Sequence, residues 1–343
     1  MGSPSQGVLT IWDVPANQYK ASNPPWLVQL VTRVGKEPER PVEVPAVAAW
    51  LQAAAAKVGA GGPPAEFGSA ARQQLFCLED GVAYLNNGSY GAVLRPVLAA
   101  QRFYQERCEA QGVRFFEQEA LPSLMQAQAA LGRFVGAAPQ DLVFIPNATA
   151  AMNAVLRSVH LGPGDLLLMT QPSYPAVRSA AARWAAAAGA GLADLQLMDL
   201  LALSPAPVRD GAIVARFESA FQQACGRIKL AIIDHIVSFP PVHLPVAALC
   251  ALCRQHGALA AVDGAHAVGA VTLDIPSLGC DFYTSNLHKC VSPMPAPWLQ
   301  PAAAAISWLD SQDSGWWGPC RGAGGCCGGV ARGVGQGPLQ DDG

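Results

Sequence analysis

Short apolar runs alternate with longer segments of helical periodicity through the middle of the chain. The apolar runs, each bounded by polar residues, glycine or proline, occupy 142–145, 166–169, 230–233, 259–262 and 282–284. Helix candidates lie between them at 149–159, 176–188, 217–225 and 246–256. Short strands that alternate with helices of about ten residues predict βαβ units. We therefore expect an α/β fold with a mostly parallel sheet that is flanked by helices on both faces.

Polar residues follow several of the predicted strands. Asn147, Gln171, Asp234 and Asp263 each stand at or just beyond the end of an apolar run. In parallel sheets, ligands bind beyond the carboxyl ends of the strands. The sequence therefore predicts that the loops carrying these four residues share one edge of the sheet.

The two ends of the chain differ from its middle. Residues 1–70 are rich in Pro, Ala and Gly, with one helix expected around 47–58. The segment 82–94 is typical of a short strand, a polar turn and the beginning of a helix with Pro96 in its first turn. Residues 291–343 are rich in Gly and Cys without hydrophobic periodicity, and we expect a low-complexity, disordered tail. The predicted organisation is thus an N-terminal extension at 1–70, one large domain at 71–290, and this tail.

Composition narrows the classes of protein. Hydrophobic residues make up 51% and charged residues 14%, which favours a large buried core. A net charge of −3 without a basic run argues against nucleic acid as a partner, because phosphate binding needs clustered Lys and Arg. No apolar run reaches the roughly 20 residues of a membrane span, and no secretory signal pattern opens the chain. The cytoplasm is the expected compartment, with an organelle left open.

Six cysteines lie in apolar surroundings and are predicted to be small buried residues in a reducing compartment. They are Cys77, Cys108, Cys225, Cys250, Cys253 and Cys280. Cys250 and Cys253 have the C-x-x-C spacing of metal and redox sites, but no second pair accompanies them. Two core cysteines one helical turn apart is the preferred interpretation, and no metal site is predicted.

Three residue groups in a fixed order indicate cofactor chemistry. Ala148 and Thr149 open a helix directly after a strand, where a phosphate can bind, although ordinary helix capping gives the same pattern. Asp263 ends an apolar strand, as a helix-capping Asp also would. Lys289 follows one strand later, as surface lysines often do. Pyridoxal phosphate (PLP) enzymes need a phosphate site, a carboxylate for the pyridine nitrogen and a lysine for the aldehyde, and the three groups together supply these.

The segment 82–289 resembles the class V aminotransferase and cysteine desulfurase family of PLP enzymes. Within that family it is most similar to the isopenicillin N epimerase-like and hercynylcysteine sulfoxide lyase branch. The matching motifs, in the family's order, are 84–91 (YLNNGSYG), 147–149 (NAT) with Asn153, 162–165 (GPGD), 234–236 (DHI) with 244–246 (LPV), 263–267 (DGAHA) and 288–289 (HK).

The resemblance implies a role for each matching residue. Lys289 would form the Schiff base, Asp263 would pair with the pyridinium nitrogen, and His266 would lie near the ring's phenolic oxygen. The other positions that it assigns to the cofactor are Ala148, Thr149, Tyr174, Asp234, His235 and His288. Asn86 and Ser89 would touch the substrate. Structural roles for His235 and His266, and a core position for Tyr174, stay open.

Several positions depart from the family pattern. Pro172 replaces a histidine, Val237 replaces a hydroxyl residue, and Cys290 replaces an aromatic residue. The family's small C-terminal domain is not recognisable after Cys290. The fold expected from the resemblance is therefore a PLP fold type I large domain with that small domain apparently missing.

The resemblance implies a small-molecule amino-acid substrate, reaction through loss of the Cα proton, and a homodimer if the chain is intact. Cleavage of a Cβ–S bond in a cysteine-derived substrate is the preferred reaction. Epimerisation or amino transfer on the same scaffold stays open, and so does a truncated, inactive remnant that binds PLP.

Overall fold

Seven strands form one sheet at the centre of the molecule. The computed structural model describes residues 48–49, 52–53 and 68–289 together with the strand at 305–309. In order along the chain the strands are β1 Val143–Ile145, β2 Leu166–Thr170, β3 Gly191–Leu195, β4 Ile228–Asp234, β5 Leu259–Asp263, β6 Phe282–Thr284 and β7 Ala305–Leu309. The sheet order is β1-β7-β6-β5-β4-β2-β3. The five strands from β6 to β3 are parallel, whereas β7 is antiparallel to both β1 and β6.

Helices connect the parallel strands. In chain order the helices are α1 Ser69–Leu75, α2 Arg95–Ala110, α3 Gly112–Arg114, α4 Ala120–Val135, α5 Ala148–Ser158, α6 Pro175–Ala187, α7 Met198–Leu201, α8 Ala206–Ala224, α9 Val246–Gln255 and α10 Ile275–Leu278. A π-helical turn, Phe115–Glu119, joins α3 to α4. Among the described residues, no helix is both long enough and apolar enough to cross a bilayer.

Both faces of the sheet are buried, as the alternation of strands and helices predicts. Successive strand residues point to opposite faces, so Leu168 and Ile233 belong to one apolar cluster while Leu167 and Ile232 belong to the other. The first cluster packs under α4, α8 and α9, and the second under α5 and α6. Phe217 of α8 is fully buried. Truncation of such a residue to Ala typically costs about 3–5 kcal/mol.

The predicted α/β fold with a mostly parallel sheet is confirmed, and the structure adds two strands. β3 escaped prediction because its sequence, Gly-Leu-Ala-Asp-Leu, has weak strand propensity and forms an edge that pairs only with β2. β7 lies within the range expected to be a disordered tail. The rest of that tail lies outside the described residues, and so does most of the N-terminal extension. Of the helix expected at 47–58, residues 48–49 and 52–53 are described and helical.

Two local expectations are wrong. Residues 82–85 form no strand, whereas the polar turn forms at 87–89 and α2 begins with Pro96 in its first turn, both as predicted. Cys77 and Cys225 are exposed rather than buried, whereas Cys250, Cys253 and Cys280 are buried. The exposed pair lies at or beside a helix end that faces solvent, a position that local hydrophobicity does not reveal.

Neighbouring strands end in register at one edge of the sheet. In the β4–β5 pair, Asp234 lies opposite Asp263, and in the β5–β6 pair Asp263 lies opposite Thr284. The last residue of each strand therefore opens onto the same edge. This register places the loops after β4, β5 and β6 side by side.

Candidate active site

A cavity of about 300 Å³ opens at the carboxyl ends of the parallel strands. Its volume lies at the lower end of the range for small-molecule sites. The cavity is lined by Ser89, Tyr90, Asn147, Ala148, Thr149, Tyr174, Val177, Asp234, Ser238, Asp263, Ala265, His266, Asn286, His288 and Lys289. Asn147, Asp234 and Asp263 thus meet at one edge as predicted, and the loop of Gln171 reaches the same edge through Tyr174, although Gln171 itself is not a lining residue.

The amino-terminal end of α5 forms one wall of the cavity. Asn147 caps this helix, because its Oδ1 accepts a hydrogen bond of 2.8 Å from the Ala150 N–H. The Ala148 N–H donates to Oδ1 of Asn286 at 3.0 Å, which ties the helix to the loop after β6. A helix amino terminus carries a partial positive charge. This wall is therefore suited to an anionic group.

Lys289 and His266 meet within the cavity. The Lys289 Nζ atom lies 3.1 Å from Nε2 of His266. Burial lowers the pKa of His266 to about 4, and the nearby positive charge of Lys289 lowers it too. The imidazole is therefore neutral near pH 7. In a neutral imidazole, one ring nitrogen accepts a hydrogen bond and the other donates one.

Two buried carboxyl groups lie side by side where β4 and β5 end. Asp263 is 6% exposed and Asp234 is 4% exposed. The pKa of Asp234 is raised to about 7, mainly by burial and secondly by the negative charge of Asp263. Hydrogen bonds from the hydroxyl groups of Ser173 and Thr170 lower it in part. Burial also raises the pKa of Asp263, opposed by the Ala265 N–H and by Lys289.

His288 and the early loop close another side of the site. Within the described part of the chain, His288 Nδ1 is buried and has no hydrogen-bond partner. Burial, followed by the charge of Lys289, lowers the pKa of this histidine. The Gly91 N–H donates to the His288 carbonyl at 2.6 Å. A Cβ atom at Gly91 would collide with the carbonyls of His288 and Lys289, so only glycine permits this approach.

Two predicted site residues lie outside the cavity lining. His235 is buried behind it, with Nδ1 2.9 Å from the Tyr283 hydroxyl and Nε2 3.1 Å from Nε2 of His243. This is the structural arrangement that the sequence left open for His235. Asn86 is exposed, and its carbonyl accepts the N–H groups of Ser89 and Tyr90. It therefore shapes the loop that carries Ser89 to the cavity.

The remaining predicted residues line the cavity. Tyr174 lies at the mouth of the cavity and is 47% exposed, so the alternative that it is a plain core residue is wrong. Ala148, Thr149, Asp234, Asp263, His266, His288, Lys289 and Ser89 complete this group.

The structure adds polar residues that the sequence interpretation missed. Asn286 and Tyr90 line the cavity, and Ser173 with Thr170 contacts the Asp234 carboxylate. Tyr90 stands inside the 84–91 motif and Asn286 lies two residues before the 288–289 motif, and these positions were the signal that could have found them. No sequence signal marks the hydroxyl pair, because its contact with Asp234 spans 64 and 61 positions. Cys290 lies outside the described residues.

The fold and this site define an α/β enzyme-type domain with a lysine, a carboxylate pair and a helix amino terminus in one cavity. The aminotransferase class-V family matches residues 83–294, and the chain belongs to this family of PLP-dependent enzymes.

Curated relatives agree with the family assignment. A putative L-cysteine desulfhydrase 1 from Oryza sativa subsp. japonica is 37% identical over 224 residues, which are 62% of this chain and 45% of the rice protein. A probable chloroplastic L-cysteine desulfhydrase from Arabidopsis thaliana is 34% identical over 60% of this chain and 45% of its own length. Isopenicillin N epimerase from Streptomyces clavuligerus is 31% identical over 70% of this chain and 58% of its own length. The chain spans about half the length of the curated relatives it matches.

Solved structures share the fold. The cystine C–S lyase C-DES, in complex with its product cysteine persulfide, superposes with a TM-score of 0.59 at 21% identity, covering 68% of this chain and 58% of the other. A C-DES variant with glycine covalently linked to its PLP cofactor gives the same TM-score over 68% of this chain and 57% of the other. At this identity the likeness establishes the PLP type I fold alone.

Proposed function

We propose that this chain binds PLP in the cavity and uses it to act on an amino acid by removing the Cα proton. One observation carries the proposal: the Lys289 amine, the Asp263 carboxyl and the amino terminus of α5 line the same cavity of about 300 Å³. These are the three groups that the cofactor's aldehyde, ring nitrogen and phosphate require.

The phosphate end of the cofactor fits the α5 wall. The helix dipole and the Thr149 side chain face the cavity, and an anion there is stabilised at a helix amino terminus. The buried Nδ1 of His288 has no partner among the described residues. A buried polar atom of this kind costs about 1–3 kcal/mol until it is satisfied. A phosphate oxygen or its bound water would satisfy it.

The ring end fits the buried carboxyl pair. Burial raises the pKa of Asp263, so its ionised form needs a nearby cation. A protonated pyridine nitrogen supplies that cation, and Asp263 would hold the nitrogen in the protonated state. When bound, PLP supplies an electron sink for the negative charge left at Cα.

Lys289 is the group proposed to attach the cofactor and to move the Cα proton. Its Nζ lies 3.1 Å from Nε2 of His266, which orients the amine within the cavity. Because His266 is neutral near pH 7, it can accept a hydrogen bond from the amine and does not repel the amine when that group is protonated. Tyr174 at the mouth would cover the ring and exclude water from it.

Cleavage of a Cβ–S bond is the proposed outcome. It is supported by the relatives named L-cysteine desulfhydrases, at 37% and 34% identity. After Cα loses its proton, the electron pair left at Cα would form a Cα–Cβ double bond, while the Cβ–S bond breaks and its electron pair leaves with sulfur as hydrosulfide or a thiolate. Epimerisation is the second candidate, supported by the isopenicillin N epimerase at 31% identity. It needs only the return of a proton to the opposite face of Cα.

PLP titration of the purified chain tests the cofactor site. We expect a near-visible absorbance band that Lys289→Ala abolishes. The matched control is Lys229→Ala, because Lys229 is an exposed lysine whose Nζ lies 3.1 Å from the Gly226 carbonyl and far from the cavity lining. A band that survives in Lys289→Ala, or no band in the unmodified chain, would end the proposal.

Product analysis then separates the reactions. Sulfide release from L-cysteine or a cysteine conjugate supports the lyase, whereas inversion at Cα without sulfide supports the epimerase. A Lys289-dependent band with neither product would favour the inactive PLP-binding remnant. A homodimer is also part of the proposal by family resemblance, and light scattering of the PLP-loaded chain measures its mass.

A further inference from the structure

Three oxygen atoms form a closed triangle beneath the cavity. Thr170 Oγ1 lies 2.7 Å from Ser173 Oγ and 3.2 Å from Oδ2 of Asp234. Ser173 Oγ makes the third contact, a short one, with the same Oδ2 atom. Thr170 is fully buried, and Ser173 and Asp234 are 4% exposed. Water therefore has little access to this triangle.

The number of protons decides whether the triangle can be satisfied. Each hydroxyl group carries one proton, so Thr170 and Ser173 together provide two donors for three contacts. With an ionised Asp234, one oxygen–oxygen contact has no hydrogen between its atoms. A proton on Oδ2 completes the ring, since Asp234 then donates to one hydroxyl and accepts from the other. Buried polar contacts in proteins are normally satisfied, and this count favours the protonated carboxyl.

The neighbouring charges point the same way. Asp263 lies opposite Asp234 on the next strand, and neighbouring strands are about 4.8 Å apart in the direction of pairing. Arg178 of α6 faces Asp234 as well, but its guanidinium is bound at 2.8 and 2.7 Å by both oxygens of Asp194. The positive charge of Lys289 lowers the pKa of Asp263 and so favours its ionised form. Two buried carboxylates so close together cannot both be ionised at low cost, so one of them holds a proton.

We propose that Asp234 holds a proton on Oδ2 at mildly acidic pH, so that Asp263 is the single ionised carboxylate of the pair. Asp234 is then a positioning residue that acts through Asp263. Its proton takes part in the hydrogen bonds of the triangle with Thr170 and Ser173. The protonated carboxyl carries no negative charge that could compete with Asp263 for a cation in the cavity. The consequence for the cofactor, that only Asp263 is available to the ring nitrogen, rests on the proposed PLP site.

Infrared spectroscopy tests the location of the proton directly. A protonated carboxylic acid has a carbonyl-stretching band that a carboxylate lacks. We expect this band in the unmodified chain at pH 6, its loss in Asp234→Asn, and its retention in Asp263→Asn. In Asp263→Asn the band should titrate at lower pH, because the neighbouring negative charge is gone.

Ser173→Ala gives a second reading that does not depend on altering the carboxyl group. Removal of one hydroxyl opens the ring, so the acid band should shift in frequency while staying present. If Asp234→Asn fails to fold, as judged by circular dichroism, an unshifted band in Ser173→Ala overturns the proposal. Loss of the band in Asp263→Asn instead of Asp234→Asn also overturns it.

PLP affinity separates this inference from the proposed function. Because Asn is neutral and similar in shape to a protonated Asp, we expect Asp234→Asn to weaken PLP binding less than Asp263→Asn does. Asp263→Asn should bind at least about tenfold more weakly, since it loses a charged hydrogen bond. Equal weakening in both variants contradicts the inference. Absence of PLP binding in the unmodified chain ends the proposed function but leaves the infrared result decisive for Asp234.

Discussion

The Nζ atom of Lys289 lies 3.1 Å from Nε2 of His266, although 23 positions separate the two residues in the sequence. Their meeting follows from the parallel pairing of β5 and β6, because the chain leaves both strands at the same edge of the sheet. The contact places a neutral imidazole beside Lys289 in the cavity.

Replacement of His266 by Ala should weaken PLP binding. The variant loses the contact that orients Lys289, and a hydrogen bond to a charged group contributes about 1.5–3 kcal/mol, so affinity should fall about tenfold or more. Because the pKa of His266 is about 4, the loss should be the same from pH 6 to pH 9. His160→Ala, an exposed histidine, is the control. A loss that grows toward low pH would contradict a neutral His266.

Asp234→Asn should stabilise the chain in a pH-dependent way. The pKa of Asp234 is raised by burial to about 7, above the ordinary value of 3.8, so the folded chain binds more protons than the unfolded chain between these values. The stability contributed by the protonated form is full below about pH 4 and is lost as pH rises to about 7. The Asn variant avoids this loss, which amounts to roughly 2–4 kcal/mol.

Urea unfolding at pH 5 and pH 8 measures the effect of Asp234→Asn. The gain in unfolding free energy should be large at pH 8 and small at pH 5. Asp80→Asn serves as the control, since the Asp80 side chain is fully exposed and its ion pair with Arg72 is long, at 3.7 Å. Equal gains at both pH values would show that the carboxyl does not titrate in this range.

Gly91→Ala should displace the Lys289 backbone. Its Cβ would collide with the carbonyls of His288 and Lys289, and both are backbone atoms that cannot rotate away. We expect the Lys289-dependent PLP band to weaken at least about tenfold, because small misplacements of a reacting group cost large factors. Gly211 of α8 has open space around it. Gly211→Ala should keep the band and stabilise the helix by up to about 1 kcal/mol.

The cysteines should differ in reactivity with a thiol reagent. Cys77 and Cys225 are exposed, and replacement of either by Ser should remove one rapidly labelled site. Burial raises the pKa of Cys250 to about 12 and also raises that of Cys253, so both thiols stay protonated and covered. Ala at Cys250 or Cys253 should leave the rapid phase unchanged. Fast labelling of Cys253 would reopen a redox role for the C-x-x-C pair.

The sheet was predictable where apolar runs are strong, and less so at its edges. β4 and β5 are almost continuous runs of Ile, Leu, Val and Ala, because strands covered on both faces need apolar residues throughout. β3 is held by its backbone hydrogen bonds to β2 and carries little pattern of its own. The apolar residues at 82–85 do not form a strand, since a strand needs a neighbouring strand to pair with, and the local sequence does not show whether one is present.

By itself, the sequence determined the alternation of strands and helices and the candidates Asp263 and Lys289, and the family resemblance of its motifs added His266. The alternation and the two candidates depend on neighbouring residues and on hydrophobic periodicity, which the chain displays directly. Only the tertiary structure decided that Asp234 shares an oxygen triangle with Thr170 and Ser173, and that His235 lies behind the cavity rather than in it. Hydrogen-bond partners across strands are set by strand register and by side-chain direction. Hydrophobic periodicity indicates which residues are buried, but it gives neither the register nor the direction.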